Sequence, residues 1–268
     1  MNNPQFPAAF DPKVVGLGAP RRYFPVKNLV RVGSLVTSLI LSAGSVLVIL
    51  SGFYSAYLVY QKHGLVMIEP RLTVPVIIAL IMLLLALAAG WSAYANWSKG
   101  VALYERGFAI CNRRGFQQWR WEHITSMTAA VTRHYTLGIY SATTHVYTLL
   151  DRKNQRLMLN DIYVDVEELA KAIQDAIFPF LYERAAQQFN AGQMLTFGPA
   201  LISKKELQIG KKVYPWNEVR QVSIRQGILK VSKDDAGWFG GSNVSASVIP
   251  NLNVLLNLLH QVVGLKVE

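Results

Sequence analysis

Few side chains in this chain are equipped for chemistry: five histidines, one cysteine, and short clusters of acids and bases. Imidazole titrates near neutral pH and ligates metals, so the histidines come first. His134 and His145 flank the run TLGIYSATT, which contains Gly138 and predicts a long hairpin. Paired strands there would bring the two rings face to face. No third ligand accompanies them, and a metal site needs one. Polar hairpin packing or a binding loop fits better, and loops often carry function. Arg133, Tyr135, Tyr140 and Tyr147 nearby suit an anionic or peptide partner.

Enzyme signatures are absent from the sequence. It contains no Gly-rich phosphate loop, no G-x-S-x-G and no H-E-x-x-H. Cys111 is the only cysteine, which excludes an intramolecular disulfide, and its setting FAIC predicts an inert core position. No cofactor is expected. Basic pairs mark the predicted strand links: Arg113 and Arg114, Lys204 and Lys205, Lys211 and Lys212. They read either as solvated loops facing an anionic bilayer or as a lipid-headgroup pocket. The basic residues are scattered and no nucleic-acid motif is present, so nucleic acid is not an expected partner. Asp234 and Asp235 read as turn chemistry. In the loop that follows, Trp238 and Phe239 are adjacent, so in a strand they point to opposite faces. One ring then enters the core, and the other lies under a helix or touches the bilayer or a partner.

These candidates must be positioned by elements of two kinds. The chain has 268 residues, 51% hydrophobic and 16% charged, with a net charge of +11. The apolar excess sits in two uncharged runs, 32–60 and 74–95. A transmembrane helix needs about 20 apolar residues, so the runs predict a transmembrane hairpin over 32–98. Neither run holds Asp, Glu, Lys, Arg or His, which argues against a transporter or channel built by this chain alone. Residues 1–31 carry five Lys and Arg against one acid, and the link between the spans carries Lys62 and Arg71. The positive-inside bias puts both termini in the cytoplasm. Five prolines in the first 25 residues make residues 1–31 an extended arm. Ser34, Ser38 and Ser42, and Ala86, Gly90 and Ala93, form small-residue stripes, suited either to the hairpin itself or to another membrane subunit.

The remaining 170 residues compare with themselves. Residues 102–124 and 196–219 both lead through short strands to a tryptophan, Trp121 and Trp216, followed three residues on by Ile124 and Val219. In this reading Phe108–Cys111 matches Ala200–Ser203. Alternating strands follow in each half, then an amphipathic helix. The first helix opens at Asp165 with a capping-box Glu168, and Pro179 interrupts it. The second starts at Pro250. The prediction is α+β: a transmembrane hairpin, then two tandem partial barrels of the pleckstrin-homology plan, 99–192 and 193–268, each closed by a helix. One larger module with an elaborated tail is the alternative.

The runs VTRHYTLGIYSATTHVYTL, ALYERGF, DVEELAKAI, WNEV and IPNLNVLL resemble a bacterial family of unknown function. Its members carry two transmembrane helices and a pleckstrin-homology-like cytoplasmic region. The resemblance implies that architecture and implies no activity. The expectation is therefore a non-enzymatic inner-membrane protein that displays these modules to lipid or protein partners. An accessory subunit of a larger membrane complex, respiratory, photosynthetic or transport, is the alternative.

Overall fold

The structure, a computed structural model, describes residues 10, 16–64, 68–112, 115–136, 139–233, 241–263 and 265–267. It is α+β: two long helices followed by antiparallel sheets, with no closed barrel among the described residues. Helices α1 (Asn28–His63) and α2 (Ile68–Trp97) are long and apolar enough to cross a membrane. Both are longer than the uncharged runs, so most of the polar link between them is helical. Their large apolar side chains point outward, and Tyr54, Tyr57, Trp91, Tyr94 and Trp97 are all exposed.

The two helices run antiparallel and meet through small residues spaced by seven: Ser38, Ser45 and Gly52 on α1, and Ala79, Ala86 and Ala93 on α2. The Ser38 hydroxyl donates to the Ala86 carbonyl at 2.8 Å. An added Cβ on Gly52 would lie 2.7 Å from Pro75 Cβ, so only glycine permits this approach. The packed face is this heptad stripe rather than the four-residue repeat of serines. Ser34 and Ser42 lie half-buried beside it.

Four sheets complete the fold, and the halves correspond strand by strand apart from one extra C-terminal strand in the second. In the second half β8 (Leu195–Phe197), β9 (Ala200–Ile202), β10 (Glu206–Ile209) and β11 (Lys212–Pro215) form one antiparallel sheet. In the first half β2 (Gly100–Tyr104), β3 (Gly107–Asn112) and β4 (Gly115–Arg120) match β9, β10 and β11. The match to β8 is β1 (Pro20–Pro25), which precedes the helices. Pro25 pairs with Gly100 as Phe197 pairs with Ala200. Residues 26–99, the whole hairpin with its ends, thus stand where Gly198–Pro199 make a tight turn in the second half.

This arrangement corrects two sequence expectations. Residues 20–25 belong to the first sheet, not to a free arm, and Phe10 and Leu17 bury against the outer face of that sheet at Ala102, Tyr104 and Ala109. Phe108–Cys111 matches β10, not Ala200–Ser203, because the first half takes its missing strand from in front of the hairpin.

Each half continues through a short 3-10 turn at its tryptophan into a second sheet. The first contains β5 (Ile124–Thr136), β6 (Ile139–Asp151) and β7 (Arg156–Asn160). The second contains β12 (Val219–Arg225), β13 (Ile228–Lys233) and β14 (Ser242–Ser245), with β15 (Leu265–Val267) parallel to β12. The tryptophans are equivalent by hydrogen bonding. The Trp121 indole donates to Glu105 O and the Trp216 indole to Ser203 O, each at 3.0 Å. Their backbone N–H groups donate to Arg106 O and Lys205 O. Trp121 is buried between the sheets and tilted against Phe108, whereas Trp216 is half-buried.

Helix α3 (Val166–Asn190) runs unbroken through Pro179. The apolar stripe continues at helical spacing through Leu181, Ala185 and Phe189, all buried, and this burial outweighs the roughly 3 kcal/mol cost of an internal proline. The capping box does not form. Asp165 is left-handed and makes no side-chain cap, and the Glu168 carboxylate is taken by Arg22 of β1. Helix α4 (Leu252–Val263) starts two residues after Pro250 and buries Val254, Leu255, Leu258 and Leu259. Gln261 donates to the Tyr182 hydroxyl, so α3 and α4 pack together. One continuous core joins both halves.

The junction of β1 and α1 is stitched to the loop before α3. Lys27 N–H donates to Ile162 O, Val164 N–H donates to Pro25 O, and Val26 bridges Tyr163. Tyr163 is buried there, and its phenol is pushed up to about 12, first by burial and then by Tyr23. Stability from the neutral phenol is complete below the ordinary tyrosine value near ~10 and lost as pH rises through the folded value. The window corresponds to roughly 3 kcal/mol. An alkaline circular-dichroism titration should show this loss in the wild type, and Tyr163→Phe should shift the unfolding midpoint upward in pH.

Candidate functional site

Among the sequence candidates, β5 and β6 bring Arg133, Tyr140 and His145 to one groove of about 890 Å³. The register decides which residues share it. Arg133 pairs with Thr143, Val131 with His145, and His134 with Ala142. Arg133 and His145 therefore point to one face, and His134 points to the other, where its ring bonds Thr144 Oγ1 at 2.9 Å. The two histidines do not face each other, because the register offsets them by three residues and the pleat turns them apart.

His145 is the best-held polar group of the groove. Asp161 accepts its backbone N–H at 2.6 Å and contacts Nδ1 at 3.0 Å, while Glu167 Oε1 lies 2.9 Å from Nε2. The two carboxylates sit at opposite ends of the ring, so the three groups do not converge on one point. Among the described residues no group of three His, Cys, Asp or Glu is arranged for a metal. Tyr147 stacks on His145 with ring centroids 6.5 Å apart. Burial raises the Tyr147 phenol, and Glu167 and Asp161 raise it further.

Burial also pushes the Asp161 carboxyl up, but the backbone and ring bonds of His145, the charge of His145 and that of Lys27 outweigh it, so Asp161 stays below its ordinary value. A depressed carboxyl stabilises the fold above its unfolded value near ~4, and that contribution is lost as pH falls through the folded value. Asp161→Asn should therefore lower stability at neutral pH and flatten the acid limb of a stability-against-pH profile below about 4. An unchanged acid limb would remove Asp161 from this role.

The remaining groove charges are Lys27 and Arg133 against Asp165, Glu167 and Glu168. Carboxylates outnumber cations here, which disfavours a purely anionic headgroup at this place.

The basic links lie elsewhere. Lys204 donates to the Asn190 carbonyl at 2.7 Å and so closes the C-terminus of α3. Lys205, Lys211 and Lys212 are exposed. Arg113, Arg114, Trp238 and Phe239, with Asp234, Asp235 and Gly138, lie outside the described residues. Cys111 is half-buried against the small cluster around Phe10.

A second cavity, about 390 Å³, lies at the seam between the halves, under Met127, Ile177, Phe178 and Ile228. Asn251 braces it. With a left-handed φ of 51°, it accepts the Met127 N–H at Oδ1 (2.9 Å), donates its own N–H to Met127 O (2.8 Å), and donates Nδ2 to Thr125 O (2.9 Å). Sequence reasoning passed over Asn251, Asp161 and Glu167. The one local signal was Asn251 itself, an asparagine just before a helix, a type that tolerates left-handed backbone. The contacts of Asp161 and Glu167 are set by tertiary approach alone.

No curated protein matches the chain. A model of the family of unknown function DUF6585 matches residues 10–266, which takes in β1, both long helices and both halves. The chain belongs to the DUF6585 family.

Proposed function

We propose that the chain is an integral inner-membrane protein with both termini in the cytoplasm, which displays two pleckstrin-homology-like modules at the membrane face and works by binding protein or lipid rather than by catalysis. The observation that carries this reading is the insertion of the apolar hairpin between β1 and β2 without a flexible linker. Pairing of Pro25 with Gly100 requires the two ends of the hairpin to lie on one side, as an even number of spans demands. Lys27 and Arg31 brace the junction through Ile162 O and Lys99 O, so the folded part is held close to the bilayer. The lysine and arginine excess before α1 favours the cytoplasmic side.

An accessory-subunit role called for an outward small-residue face. Ser38, Ala86 and Ala93 are instead engaged between α1 and α2, which weighs against it. Membrane fractionation tests the proposal. The protein should stay with the membrane pellet through alkaline and high-salt washes and leave only with detergent. Release by salt alone would overturn integral membership.

A further inference from the structure

The cavity at the seam of the two halves is walled by elements far apart in sequence. Strand β5 and helix α3 form one side, and the β12–β13 turn and the start of α4 form the other. The 3-10 turn at Ala246–Val248 packs along β5 and closes the gap between them, with Ala246 N–H donating to Gly227 O at 2.8 Å. The enclosed volume, about 390 Å³, lies within the range of about 300–1,000 Å³ usual for small-molecule sites.

Two features of the wall set the chemistry of an occupant. The first is charge. The chain carries a net charge of +11, yet none of the described residues lining the cavity is Asp, Glu, Lys, Arg or His. An ion placed there would give up water without gaining a counter-charge. The second is the placing of polar groups. The inner wall is apolar, with Met127, Ile177 and Leu181 buried and Phe178 half-buried. Around it stand three side-chain amides: Gln174 on α3, Gln226 in the β12–β13 turn and Asn253 on α4. None of the three makes a side-chain hydrogen bond to another described residue. Asn251, by contrast, has both amide atoms bonded to β5. Each unengaged amide offers a donor and an acceptor together.

We infer that the seam cavity binds a small uncharged molecule with an apolar body and amide or hydroxyl groups. The body lies on Ile177, Phe178 and Leu181, and the polar groups meet Gln174, Gln226 and Asn253. Apolar contact supplies the affinity, and the amides select groups that both donate and accept. Gln174 belongs to the first half and Gln226 and Asn253 to the second, so the occupant bridges the seam. The inference goes beyond the display reading, because it adds a small-molecule ligand to the protein and lipid partners proposed above.

The test uses the full chain in lipid nanodiscs, with methyl-labelled methionine read by nuclear magnetic resonance. The probes are benzamide, benzoate and benzamidine, which share one shape and differ in charge. The Met127 methyl signal, assigned through Met127→Leu, reports the cavity, and Met158, exposed on β7, is the reference. Benzamide should shift the Met127 signal saturably, with a Kd near about 1 mM, the affinity of a fragment. Benzoate and benzamidine should bind at least about tenfold more weakly. Gln174→Leu keeps the apolar wall and removes one amide, so it should weaken benzamide at least about threefold. Ala129→Phe, from an exposed strand position that lines the cavity, should abolish binding by filling it. Both variants should keep the melting temperature of the free protein. No saturable Met127 shift up to about 10 mM benzamide overturns the inference. So does a Met158 shift that runs in parallel, or binding untouched by both variants. Benzoate binding as tightly as benzamide overturns the uncharged class and assigns the cavity to a carboxylate ligand such as a fatty acid.

Discussion

Replacing Trp121 by alanine should lower the unfolding free energy by about 3–5 kcal/mol, while Trp216→Ala should cost roughly half as much. The two indoles make the same hydrogen bond, each to the turn between the second and third strands of its half. Their packing differs. Trp121 is 6% exposed and lies 5.5 Å from the Phe108 ring, which also stacks on Trp119. Removing it opens a cavity beside Phe108 in the main core. Trp216 is half-buried at the edge of the core, so neighbours and water can fill part of the space it leaves. Thermal and denaturant melts followed by near-ultraviolet circular dichroism would read both losses. Equal losses would contradict the difference in burial, and two negligible losses would contradict the tryptophans as anchors.

Asn251→Ala should cost roughly 3 kcal/mol. Two side-chain hydrogen bonds to β5 disappear, and the third, from the backbone N–H to Met127 O, weakens because alanine holds φ 51° less well. Asn251→Gly loses the side-chain bonds but relaxes the left-handed strain, so it should be milder by about 1 kcal/mol. Hydrogen exchange gives the local readout. The Met127 amide should lose protection in both variants, while amides of α1 and α2 should not change. If glycine proves worse than alanine, backbone strain is not part of the cost. If Met127 stays protected, Asn251 does not brace the seam.

Features written in local pattern were legible in the sequence. Two uncharged runs suffice for two long helices, and the tryptophan three residues before a β-branched strand start marked equivalent points in both halves. The stripe Val166, Leu169, Ala170, Ile173 and Ile177 is buried as its period requires. Features that depend on what approaches from afar were hidden. β1 is a proline-rich hexapeptide whose partner strand lies beyond the hairpin, and no short-range signal joins Pro25 to Gly100. The capping spacing at Asp165 failed because Arg22 competes for Glu168. Pro179 failed as a helix stop because the stripe beyond it finds core to bury against. The facing of His134 and His145 depended on register, and a shift of one residue in a strand changes the face.

The central claim is that the apolar hairpin crosses the membrane from a cytoplasmic pair of modules. Single cysteines in a Cys111→Ala background, probed with an impermeant thiol reagent, test it most directly. Gly64 is exposed at the end of α1, and a Cβ there meets no atom within 4 Å, so Gly64→Cys presents an open thiol at the hairpin tip. Lys211 is exposed in the β10–β11 turn, so Lys211→Cys presents one on the second module. Intact cells should label the cysteine at 64 and not the one at 211, which should react only after lysis. Labelling at 211 in intact cells, or protection of 64 until lysis, would contradict the account.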